Sequence, residues 1–121
     1  MPARAPIERL PAVLQPGSEE VRRLATLHRL SLVVLFGSRA RGEARRNSDF
    51  DIAVLKAGAY PRRPSLLTGD EAQAFRQLHA DFQRLLGTSR IDLVLLDRAS
   101  PLLAHRVARD GIPLYEAAPG T

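Results

Sequence analysis

The sequence contains no cysteine, which rules out disulfides and thiolate-held metals and gives no sign of an oxidising compartment. It has no apolar run approaching the roughly 18–20 residues needed to cross a bilayer. Its opening, "MPARAPIERLPAVLQPGS", is interrupted by prolines and lacks a continuous apolar segment, so it does not read as a signal peptide and a cytoplasmic protein is expected. Aromatic residues are only 5% of the chain, too few for a platform on which single-stranded nucleic acid would stack. Lysine is almost missing: of 18 basic residues, only Lys56 is not an arginine. Against 13 acidic residues these leave a net charge of +5. That balance suits phosphate-bearing partners, although the arginines are dispersed as on a solvated surface.

What is present fits one globular domain. The 121 residues are 45% hydrophobic, enough for a single core with little stability in reserve. Residues 1–16 are proline-rich and read as an extended arm, with the domain proper over 17–118. Ser18 is a helix N-cap, followed by Glu19 and Glu20 in the first turn and Val21, Leu24 and Leu27 at helical spacing. "LVVLF" (32–36) reads as a buried strand ending at Gly37, and Ser38 to Arg41 as a short helical turn closed by Gly42. A second strand is expected at "DFDIAVL" (49–55), then a loop over 56–69. Thr68 and Glu71 are spaced as a capping box for a long helix whose apolar stripe is Phe75, Leu78, Phe82 and Leu85, stopped by Gly87. "RIDLVLLD" (90–97) is the third strand. Ser100 and Pro101 open a last helix that ends at Gly111. "IPLYE" (112–116) follows as a final strand that Pro113 confines to an edge. The order predicts an α/β (α+β) fold, a small mixed β-sheet with helices packed against it.

Chemistry concentrates in "LVVLFGSRARGEARRNSDFDIAVL" (32–55). Asp49 and Asp51 lie two apart on a strand, so both carboxylates point to one face, roughly 6–7 Å from each other. At that separation they repel by about 2–3 kcal/mol if the effective dielectric is near 20. An apolar strand adds a desolvation cost. A cation offsets both, and hard carboxylate oxygens favour Mg²⁺, which takes substrate phosphate as a further ligand. Asp92 is a third acid interrupting the apolar run "IDLVLL". If the third strand lies beside the second, the three acids can hold two ions about 3.5–4 Å apart, a layout suited to in-line displacement at phosphorus. Asp92 is then placed to help deprotonate an attacking hydroxyl.

Gly37 lets the backbone turn sharply beside a ligand, and Ser38 offers amides and a hydroxyl to an anion. Arg39 and Arg41 can add charge to a triphosphate. The glycines of "GSRARG" do not make a phosphate-binding P-loop, because Glu43 and Ala44 stand where that motif needs Lys and Ser or Thr. His28, His79 and His105 have no second ligand at metal spacing and read as surface or core histidines. Asp97 reads as a loop or capping charge, and no serine–histidine–acid ordering stands out for acyl transfer.

The stretch "GSRARGEARRNSDFDIAV", with Gly-Ser, ten residues and then Asp-x-Asp, resembles the signature of the DNA polymerase beta-type nucleotidyltransferase superfamily. Within it the chain resembles the minimal nucleotidyltransferases (MNT, MntA-like), the antitoxins of HEPN–MNT toxin–antitoxin pairs. The likeness runs from Leu32 to about Glu116 and takes in "IDLVLL" and "SPLLAHRVARDGIPLYE". It implies a polymerase beta-like fold, nucleotide phosphates held at Gly37 and Ser38, and two Mg²⁺ on Asp49 and Asp51 with Asp92 as the third catalytic carboxylate. The implied reaction moves AMP from ATP to a tyrosine of the partner HEPN ribonuclease, releasing pyrophosphate and silencing the toxin. With 121 residues no second domain is expected to grip the acceptor, so a hetero-complex with a separate helical protein is anticipated. No membrane partner is expected, nor nucleic acid as a direct substrate. Two other functions compete: an antitoxin that masks its partner with vestigial catalysis, and a basic nucleic-acid-binding protein resting on charge alone.

Overall fold

The computed structural model of the chain describes residues 10–45, 48–58 and 67–117. Helix α1 (Glu19–Leu27) starts where Ser18 Oγ accepts the Val21 amide at 3.2 Å, and it buries Val21, Leu24 and Ala25. Strand β1 (Leu30–Phe36) follows, then the single-turn helix α2 (Ser38–Arg41) and strand β2 (Phe50–Lys56). Helix α3 (Gly69–Leu86) opens on the expected capping box. Thr68 N–H donates to Glu71 Oε1 at 2.9 Å, and Glu71 N–H donates to Thr68 Oγ1 at 3.2 Å. Strand β3 (Ile91–Leu95), helix α4 (Pro101–Asp110) and strand β4 (Ile112–Glu116) complete the order.

The strands form one mixed sheet in the order β3-β2-β1-β4. β1 runs antiparallel to both β2 and β4, while β2 and β3 are parallel and joined through α3. Alternation along the strands sends side chains to two unequal layers. Val33, Leu35, Ile52, Val54, Ile91 and Leu93 face Val21, Leu24, Leu78 and Phe82 of α1 and α3, forming the main core. The opposite face holds a smaller cluster of Val34, Phe36, Ala53 and Val107, capped by α4 alone. By the same alternation Asp51 and Asp92 belong to this thinner face. A site is therefore left open beside a rigid sheet.

Several boundaries differ from the sequence pattern. β1 begins at Leu30 rather than Leu32, and β2 begins at Phe50 rather than Asp49. β3 stops at Leu95, the last residue paired with β2. Leu96–Arg98 then wind into a 3₁₀ turn from which Arg98 reaches Glu71 Oε2 of α3 at 2.5 Å. Within the span 1–16, expected as an extended arm, the described residues 10–16 are not simply extended. Ala12–Leu14 form a 3₁₀ turn, and Leu10 and Leu14 pack into the main core, Leu14 with 0% exposure. Residues 1–9 lie outside the described part, as does most of the expected 56–69 loop. Among the described residues no helix is long and apolar enough to cross a membrane.

Candidate active site

The ladder places Asp51 opposite Asp92 on β3 and opposite Phe36 on β1. Two carboxylates thus sit on neighbouring parallel strands, whose backbones are about 4.8 Å apart. Immediately after Phe36 the chain bends at Gly37, whose φ of 76° lies in the left-handed region. A Cβ built on Gly37 would fall onto the Asp51 carboxylate, 2.9 Å from its Cγ. Glycine is required here for its backbone angle and for the space it yields to Asp51. The bend leads straight into α2, closed by Gly42 in the left-handed conformation, and Ser38 lines the same cleft as the two acids.

These elements enclose a cleft of about 410 Å³ lined by Gly37, Ser38, Arg41, Asp51, Asp92 and Arg106. Leu103 and Asp110 of α4 complete its far wall, with Phe36 beside Gly37. Five of the seven residues singled out in the sequence come together here: Gly37, Ser38, Arg41, Asp51 and Asp92. Asp49 does not line the cleft. It precedes β2, is exposed, and has Arg90 Nη1 at 4.0 Å from its Oδ1. Arg39 is turned elsewhere: its guanidinium lies 4.0 Å over the Phe50 ring and donates twice to the Ser48 carbonyl, at 3.2 and 2.8 Å. Arg41 reaches Glu43 Oε1 at 2.9 Å and Asp110 Oδ2 at 3.8 Å.

Burial first, and then the charges of Asp92 and Asp49, push the Asp51 carboxyl up to about 6 against the opposing charge of Arg41. The acids therefore act on one another although only two share the cleft. A ready-made cage of three carboxylates, as the sequence suggested, is not formed: among the described residues no three acid, histidine or cysteine side chains stand together as ion ligands. The cause is that the ladder begins at Phe50, whose amide donates to Arg90 O at 2.9 Å, which leaves Asp49 in the loop before the sheet.

The other candidates follow their expected roles. His28 pairs with Asp81 at 2.6 Å, and His79 bonds the Ile91 carbonyl at 2.9 Å while stacking on Phe75. Asp97 sits in the 3₁₀ turn near Arg98. Sequence reasoning missed the contribution of α4: Arg106 and Asp110, one turn apart, and Leu103. Their i, i+4 spacing was visible, but no periodicity tells which face of the sheet the helix covers.

Acids at the head of two neighbouring strands, beside a Gly-Ser bend on a mixed four-stranded sheet, form the frame of a nucleotidyltransferase domain. Residues 19–119 match the family described as Polymerase beta, Nucleotidyltransferase, and the chain belongs to that family. It is 34% identical over 117 residues to Protein adenylyltransferase MntA of Aphanizomenon flos-aquae (strain 2012/KM1/D3), covering 90% of this chain and 72% of that one. It is also similar to a solved toxin–antitoxin structure with AMP-PNP, at a TM-score of 0.61 and 30% identity, covering 84% of this chain and 74% of the other. A tri-AMPylated Shewanella oneidensis HEPN toxin in complex with MNT antitoxin matches at a TM-score of 0.55 and 28% identity, covering 81% and 68%.

Proposed function

We propose that this chain is a Mg-dependent nucleotidyltransferase antitoxin that transfers AMP from ATP to a tyrosine of a cognate HEPN ribonuclease in the cytoplasm, neutralising it. The observation that carries the reading is the pairing of Asp51 with Asp92 beside the Gly37–Ser38 bend in one cleft. The similarity to a protein adenylyltransferase and to an AMPylated toxin complex supports it. Gly37 and Ser38 hold the nucleotide phosphates, and Arg41 adds positive charge at the cleft wall. Arg39, engaged with Phe50 and Ser48, serves instead to fix the segment leading into the acids.

The donor set fits Mg²⁺. Asp51 and Asp92 offer hard oxygen ligands, and the repulsion that raises Asp51 is what a divalent ion relieves. Asp49, on the loop just before β2, would be the third carboxylate to hold the ion. Bound there, Mg²⁺ supplies charge neutralisation for the phosphates and for the leaving pyrophosphate. The tyrosine oxygen attacks the α-phosphorus as its proton passes to Asp92. The bond to the β-phosphate oxygen breaks, and pyrophosphate departs with the electron pair. The test is the mass of a cognate HEPN toxin co-expressed with this chain and with its Asp49→Asn/Asp51→Asn variant. One or more AMP additions with the native chain and none with the variant are expected. An unmodified toxin beside the native chain overturns transfer. Neutralisation that persists in the variant assigns the effect to masking.

A further inference from the structure

We propose that Arg106 of α4 binds the β- and γ-phosphates of the nucleotide and carries the pyrophosphate as it leaves. This rests on the nucleotidyltransferase reading above.

Helix α4 is firmly seated, so the position of Arg106 is fixed by the fold. Ser100 Oγ caps its first turn by accepting the Leu103 amide at 3.2 Å, and Pro101 occupies the first position. Val107 is buried against Val34, Phe36 and Ala53, with Leu103 packed beside it. At the far end, a Cβ on Gly111 would strike the Val34 side chain and the Val107 carbonyl, so the helix end lies directly on the sheet. One residue before Val107, Arg106 is exposed and lines the same cleft as Gly37, Ser38, Asp51 and Asp92.

The two cleft arginines are not equivalent. Arg41 is held by Glu43 and Asp110. Among the described residues Arg106 has no ion pair or hydrogen bond, so its guanidinium is available to a ligand without breaking a contact. Helix α4 packs over Val34 and Phe36 of β1, whereas Asp51 and Asp92 stand on β2 and β3, so Arg106 enters the cleft from the β1 side, across from the acids. A triphosphate whose α-phosphorus lies at the acids extends its β- and γ-phosphates away from them. A guanidinium fork matches such oxygens in bidentate fashion, which an ammonium cannot do.

Equilibrium dialysis of the whole chain against ATP, AMP and pyrophosphate, each with Mg²⁺, tests this. Arg106→Gln should weaken ATP and pyrophosphate binding by about tenfold while AMP changes by less than about twofold, and Arg106→Lys should restore part of the loss. The side chain is exposed, so an unchanged melting temperature is expected for both variants. If the native chain binds ATP and Arg106→Gln binds it equally well, the assignment is overturned while the nucleotidyltransferase reading stands. Equal losses for ATP and AMP overturn it too, as does weaker capture of the toxin with nucleotide binding intact. A native chain that binds no ATP overturns both.

Discussion

The Gly37 α-carbon and the Asp51 carboxylate occupy adjoining space, so closely that a Cβ at position 37 would stand 2.9 Å from Asp51 Cγ. Position 37 also has a φ of 76°, which side-chain-bearing residues rarely adopt. Gly37→Ala should therefore fail twice, through backbone strain and through displacement of the acid. We expect a stability loss of about 1–3 kcal/mol, read by denaturant unfolding. AMP transfer should fall on the order of 100-fold, because about 1 Å of misplacement at a reacting centre has that effect. A Gly37→Ala variant with native activity would show that Asp51 need not sit where it does.

Asp51 also sets a trade-off between stability and chemistry. Its folded-state value of about 6 lies above the ordinary 3.8, so the fold prefers the protonated carboxyl. The associated stability is present in full below pH 3.8 and is lost as pH rises through about 6. In metal-free buffer, Asp51→Asn should be more stable than the native chain at pH 7.5 and nearly equal to it at pH 4. Solvent around the half-open carboxyl trims the gain to roughly 1 kcal/mol, or about 4 °C in melting temperature. The same variant should be inactive. Thermal melts at the two pH values check the first claim, and loss of toxin modification checks the second.

Arg39 tests how the acid strand is held. Its guanidinium stacks 4.0 Å from the Phe50 ring and clamps the Ser48 carbonyl, spanning the segment that carries Asp49. Lysine cannot reproduce the planar stack or the double donation. Arg39→Lys should loosen the approach to β2, lowering kcat several-fold, on the order of 1 kcal/mol of lost positioning. KM for ATP should change little, since Arg39 does not line the cleft. A variant that instead raises KM with kcat unchanged would return Arg39 to the phosphates.

What could be read from the sequence, and what could not, divides along physical lines. Local signals were sufficient for the Ser18 and Ser100 caps, the Thr68–Glu71 capping box and the stripe of α3, because each depends on neighbours within a turn. An acid inside "IDLVLL" was equally legible, since alternation alone puts Asp92 on one face. That Asp92 lands opposite Asp51 is a matter of register between strands separated by α3, which no local pattern fixes. The same limit hid the break between Asp49 and the sheet, set by where the Phe50 amide meets Arg90. It also hid Leu14, whose proline-rich surroundings suggested an arm although its side chain completes the core. The role of α4 depended on which face of the sheet it covers, and only the packing of Val107 on Val34 and Phe36 decides that.

Removing divalent ions should separate fold from function. The main core is built from apolar side chains, chiefly of α1, α3 and the sheet, and contains no carboxylate, so the chain should remain folded in EDTA. Adding Mg²⁺ should raise the melting temperature, because an ion that binds only the folded chain stabilises it by RT ln(1 + [L]/Kd), about 1.4 kcal/mol at tenfold excess over Kd. The shift arises from relief of the repulsion between Asp51 and Asp92, so Asp51→Asn should abolish most of it. Asp49→Asn should abolish less, because Asp49 lies outside the cleft that Asp51 and Asp92 line. Differential scanning calorimetry of the three proteins with and without Mg²⁺ gives the ranking. Equal shifts in all three would place the ion elsewhere on the chain.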